Sequence, residues 1–155
     1  MRLCVFLFML LLFGCQTNVN NTQNEYIKFV PKISDVAQLT LNYHFVPELS
    51  TERMLCLYGD IGNNGMISIN EVYFPVQLNS TESYIFTKSC PLYYNKNFLL
   101  GTIHNHPNSN CIPSSFDVQE RVKSWLYLNY TYNYSKRIIE GIVCGEVYNY
   151  YIVNV

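Results

Sequence analysis

His104-Asn105-His106-Pro107 and, separated from His106 by seven residues, Ser114-Ser115-Phe116-Asp117 put two imidazoles, a hydroxyl and a carboxylate at a spacing suited to one metal ion. Two neutral imidazoles and one carboxylate leave a fourth tetrahedral position for water, which separates a catalytic zinc site from a closed structural one. Water in such a site can have its pKa brought to about 7, giving hydroxide at neutral pH. Each half also has a plainer reading: Ser114-x-x-Asp117 matches a helix capping box, and His-x-His arises by chance. The two halves together, with a strand pattern before and a helix pattern after, favour the metal.

The elements that must position these groups can be read from the flanking residues. Residues 98–104 form a short apolar run with the composition of a buried strand, on which alternate residues share a face. His104 and His106 then point the same way, roughly 7 Å apart along the backbone. Pro107 cannot extend a sheet ladder, and the polar stretch 108–111 with Pro113 reads as a loop. A helix is expected over 115 to about 128, with Val118, Val122, Trp125 and Leu126 at helical spacing and Asp117 in its first turn.

The pattern His-x-His, seven residues, Ser-x-x-Asp resembles, without insertion or deletion, the JAMM motif of the JAB/MPN/Mov34 zinc metalloprotease superfamily. That family also uses a glutamate just ahead of an apolar run ending in glycine, and Glu52-Arg53-Met54-Leu55-Cys56-Leu57-Tyr58-Gly59 has this form, with Leu55 where relatives often carry glycine. The resemblance covers most of the chain from about residue 33 to 155. It implies one zinc ion per chain held by His104, His106 and Asp117, with Glu52 as general base and then general acid, and Ser114 stabilising the tetrahedral intermediate. It also implies a single α/β domain of MPN/JAB type, a curved mixed sheet flanked by helices in a cytidine-deaminase-like arrangement.

Amide hydrolysis independently asks for a carboxylate that does not ligate the metal, because a proton must leave water and reach the leaving amine. Glu52 is the favoured candidate and Glu71 the second. Glu48 precedes the strand pattern, and Glu82 lacks the terminal glycine signal. A solvated surface acid is the plain alternative for each, and Ser114 can serve simply as a helix cap.

The rest of the chain supports one domain over 25–155. Strands are expected at 25–30, 54–58, 66–74, 84–87, 98–104, 137–143 and 147–153, and a short amphipathic helix at 34–43 with Val36, Leu39 and Tyr43 on one side. Gly62-Asn63-Asn64-Gly65 signals a hairpin turn. A formal net charge of -1 and the absence of a basic run give no support for electrostatic binding to nucleic acid. Of the 14 tyrosines, Tyr127, Tyr130, Tyr132 and Tyr134 could line a peptide groove, but a tyrosine-rich core edge is preferred. His44 reads as a helix-end or core histidine.

Residues 1–15 differ from the rest: Arg2, an uninterrupted apolar stretch over 3–13, then Leu12-Phe13-Gly14-Cys15. This looks like a bacterial lipoprotein signal with its lipobox, followed by a polar tether over 16–24, and the run is short for a membrane span. Cys15 would be acylated, placing the domain at the cell envelope on a bacterial membrane. Cys56 and Cys144 then read as small buried hydrophobes, and Cys90 and Cys111 could be joined in an exported protein. Cys111 as a fourth metal ligand is disfavoured, because it would close the position hydrolysis needs.

The expected activity is zinc-dependent cleavage of peptide or isopeptide bonds, on cell-wall peptides or ubiquitin-like conjugates. The alternatives are a non-catalytic MPN-fold scaffold, which usually lacks part of the motif, and a RadC-like protein of DNA metabolism, disfavoured by the leader and the charge.

Overall fold

A computed structural model of the protein describes residues 26–45, 50–81, 85–107, 111–132 and 138–153. The expected signal at 1–15 and tether at 16–24 lie outside the described residues, as do Glu25, Glu48, Glu82, Tyr84, Tyr134 and Arg137.

The apolar and alternating runs become, among the described residues, β1 (Tyr26–Phe29), β2 (Lys32–Ile33), α1 (Asp35–His44), β3 (Met54–Ile61), β4 (Ile67–Tyr73), β5 (Gln77–Ser80), β6 (Ile85–Thr87), β7 (Tyr93–Tyr94), β8 (Asn97–Asn105), α2 (Ser115–Tyr132), β9 (Ile139–Cys144) and β10 (Val147–Val153). The main sheet runs β1-β10-β9-β8-β3-β4-β2, with β7 paired to β8, and β5 and β6 form a separate ribbon. β8 with β9 and β2 with β4 are parallel; the other pairs are antiparallel. Register shifts where β3 meets β8 and β4 bend the sheet. A mixed curved sheet flanked by two helices is the architecture expected.

Side-chain alternation sends each strand to two cores. Leu55, Leu57, Ile69, Ile103 and Ile139 pack with Ala37 and Leu41 of α1, whereas Cys56, Tyr58, Leu99 and Ile138 pack with Leu128 and Trp125 of α2. The His104 side of β8 is therefore the α2 side. Gly101 makes the β8–β9 pairing possible, since a Cβ there would lie 1.9 Å from the Ile139 carbonyl oxygen. Gly59, which ends the run after Glu52, is under the same constraint against Ser68 of β4.

Several expectations are corrected. The side of α1 bearing Val36, Leu39 and Tyr43 is the solvent side, 60%, 69% and 78% exposed, and Ala37 and Leu41 are buried instead. The helix phase is set from outside it, by the Ser34 cap, whose hydroxyl accepts from Ala37 N and donates to Asn70 O on β4. On α2, Val118 is buried but Leu126 is exposed. That helix continues one turn past its expected end, and Tyr127, Tyr130 and Tyr132 stand in solvent rather than at a core edge. β2, β5 and β7 were not expected; they are two to four residues long, too short for a periodic pattern. His44 ends α1 and stacks on Phe74.

The cysteines pair differently from expectation. Cys56 joins Cys90, and Cys111 joins Cys144, with Cα separations of 5.9 and 5.6 Å. Strand register decides this: Cys144 ends β9 beside the loop that carries Cys111, and Cys56 lies in the α2-side core with Cys90. No helix among the described residues is long and apolar enough to cross a membrane.

Candidate metal centre

His104 lies on β8 and His106 just beyond its end, where His106 N donates to Val143 O of β9. Their Nε2 atoms are 2.9 Å apart. Asp117 completes the group from the first turn of α2, with Oδ1 3.4 Å from His104 Nε2 and Oδ2 3.6 Å from His106 Nε2. One donor atom from each of these three residues lies within 4.8 Å of the other two. In a tetrahedron with zinc–nitrogen bonds of 2.0–2.1 Å the donors stand about 3.3 Å apart, so the set fits one such ion. The loop that delivers Asp117 is tied down by the Cys111–Cys144 pair and by Tyr151, whose hydroxyl donates to Cys111 O.

Ser114 does cap α2: its hydroxyl accepts from Asp117 N at 3.2 Å, and its own N–H donates to Asp117 Oδ2 at 2.7 Å. The capping box and the metal motif are thus the same residues, since the cap aims the aspartate. Burial raises the Asp117 pKa, but the hydrogen bond with His106, the charge of His104 and the Ser114 contacts outweigh it and hold the carboxyl well below the usual range.

Glu52 precedes β3, where Met54 pairs with His104 and Asn105 N donates to Arg53 O. Continuing this register sets Glu52 beside His106, on the same sheet face by alternation. The residue is 8% exposed. Burial raises the pKa of its carboxyl, His104 and His106 pull it down, and Asp117 pushes it up again. Glu52 N donates to Thr81 O, and the Ser80 hydroxyl donates to Glu52 O. Glu71 is not brought here: it pairs with Tyr58, four positions along β3 from Met54.

Asn105, Glu140 and Arg121, which sequence reasoning passed over, shape the site. Asn105, between the histidines, accepts from Arg53 N at 2.6 Å and donates to Thr51 O at 3.1 Å, gripping the backbone on both sides of Glu52. Glu140 of β9 is 1% exposed; its Oε1 lies 2.9 Å from His104 Nδ1 and its Oε2 2.6 Å from Arg121 Nε of α2. The signal for Glu140 was available: one acid within an apolar strand run must find a partner, because an unpaired charge is rarely buried. A cavity of about 200 Å³ adjoins these groups, between α2 and the β3–β8 pair, lined by Met54, Thr102, Arg121, Tyr127 and Leu128 among others.

No family model matches the sequence, and no curated protein is similar to it. Among solved structures, a JAB1/MPN domain protein from Archaeoglobus fulgidus is similar at 20% identity, with a TM-score of 0.42, over 76% of this chain and 77% of that one.

Proposed function

We propose that the protein is a zinc-dependent peptidase or isopeptidase of JAMM type. The observation that carries this reading is the convergence of His104, His106 and Asp117, with the buried Glu52 set beside His106 by the β3–β8 register. Zinc held by these three residues would supply Lewis acidity, activating water at neutral pH and polarising the scissile carbonyl. Glu52 takes a proton from the attacking water and delivers it to the leaving amine nitrogen, so that hydroxyl ends on the carbonyl carbon and hydrogen on the amine. Burial suits it to this task by drawing its pKa toward neutrality. Ser114 accepts from Asp117 N through its oxygen, which leaves the hydroxyl proton to donate to the oxyanion.

The substrate class follows from location. The resemblance of residues 1–15 to a lipoprotein signal supports an envelope protein anchored through Cys15, where peptidoglycan stem peptides are accessible amide substrates. Ubiquitin-like isopeptide conjugates form the other class to try. Cleavage of one of these should require zinc, and Glu52→Gln should keep zinc content and melting temperature while turnover falls about a hundredfold or more. Unchanged turnover in that variant would remove Glu52 from the mechanism. Fatty-acid labelling of the full chain that persists in Cys15→Ser would remove the anchor and leave the chemistry standing.

A further inference from the structure

Glu140 has no part in the chemistry just described, yet it is more deeply buried than any other ionisable side chain named in the site. Its two oxygens are divided between two elements. Oε1 meets His104 Nδ1 at 2.9 Å, Oε2 meets Arg121 Nε at 2.6 Å as an ion pair, and the Thr102 hydroxyl lies 3.4 and 3.5 Å from the two oxygens. The parallel β8–β9 register places Thr102 directly opposite Glu140, so the carboxylate sits beneath His104 on the α2 face. Arg121 follows Asp117 by four residues, and the two therefore share a side of α2.

We propose that Glu140, paired with Arg121 on its other oxygen, is a positioning residue that orients His104 as a metal ligand through Nε2. The inference rests on the metal-site reading above. An arginine in a protein does not give up its charge, and a carboxylate can only accept hydrogen bonds. The nitrogen facing Glu140 must therefore carry the proton, and in a neutral imidazole the other nitrogen is then a bare donor. That nitrogen, Nε2, is the one facing His106 and Asp117. A carboxylate behind a ligating histidine orients the ring and raises its basicity, and removing such a partner typically weakens metal binding about 10–100-fold. α2 thus brings both a candidate ligand and, one turn later, the cation that pairs with the positioning carboxylate.

The alternative is that Glu140 and Arg121 merely neutralise each other inside the fold. A chelator-competition titration of zinc on the full protein separates the two, using Glu140→Gln and the double variant Glu140→Gln/Arg121→Gln, which leaves no unpaired charge. Positioning predicts about 10–100-fold weaker zinc binding in both, with the melting temperature of the zinc-free double variant returning toward wild type. Wild-type zinc affinity in a folded double variant would overturn the positioning role alone; absence of zinc binding by the wild type would overturn the metal site and this inference together. A readout that needs no variant is the nitrogen-15 spectrum of the zinc-loaded wild-type imidazoles. With only three histidines in the chain, the His104 proton is expected on Nδ1, and its appearance on Nε2 would also overturn the proposal.

Discussion

On the α1 face of the sheet, Leu55, Leu57, Ile69, Ile103 and Ile139 close against Ala37 and Leu41, and apolar side chains dominate. On the other face, the neighbouring positions Thr102, His104 and Glu140 carry buried polar groups, each answered by a partner from α2 or the adjoining strand. The same strands build both faces by alternation, so the difference lies in what each helix brings. α1 contributes bulk, whereas α2 contributes Asp117 and Arg121. The apolar face can hold the sheet together without specific partners, and this frees the other to bury charges whose value depends on precise pairing.

The strongest way to break this division is to remove a ligand. His104→Ala and Asp117→Ala should each lose most of about one zinc per chain, because two protein donors hold the ion poorly; full retention by elemental analysis after dialysis would refute the assignment. Leu57→Ala should show the opposite profile. Deleting that fully buried side chain should cost about 2–5 kcal/mol of unfolding free energy, while the folded fraction keeps wild-type zinc stoichiometry. If zinc is lost in parallel with stability, the two faces are not separable in the way described.

Asn105→Ala addresses the join between the faces. It removes two hydrogen bonds to the backbone around Glu52, each contributing about 1 kcal/mol net. Unfolding free energy should drop by about 1–3 kcal/mol with zinc retained and turnover reduced. Unaltered turnover would mean that the grip on Thr51 and Arg53 does not govern where Glu52 sits.

The smallest effects come from one tyrosine on each face. Tyr58, on the α2 side, donates to Pro91 O at 2.7 Å, whereas the buried Tyr150 hydroxyl, on the α1 side, has no hydrogen-bond partner among the described residues. Tyr58→Phe should therefore destabilise by about 1 kcal/mol and Tyr150→Phe should be neutral or stabilising. Burial, first, and then neighbouring tyrosines raise both phenol pKa values. A raised folded pKa favours the protonated phenol in the native state, so this stability is fully present below about pH 10 and is lost as pH rises above it. Either phenylalanine variant should flatten the alkaline end of a denaturant-unfolding series. An alkaline loss as steep as in the wild type would place the titrating group elsewhere.

The sequence by itself determined the local matters: the apolar run of β8, the turn after β3, the helix that begins at Ser115 and the placement of His104, His106, Ser114 and Asp117 along the chain. Each depends on side chains a few residues apart, where periodicity and capping act directly. The choice of Glu52 as candidate base came from the resemblance to the JAMM pattern, in which the glutamate and its apolar run form one continuous segment. Tertiary structure decided what depends on register between segments distant in the chain. The Thr102–Glu140 pairing put a carboxylate behind His104, the Asn105 side chain reached back to Thr51 and Arg53, Cys56 met Cys90 and Cys111 met Cys144, and the Ser34 contact with β4 turned Val36, Leu39 and Tyr43 outward. Alternation says that a strand residue faces one side or the other, but only the neighbouring strand and helix determine which side is which and what waits there.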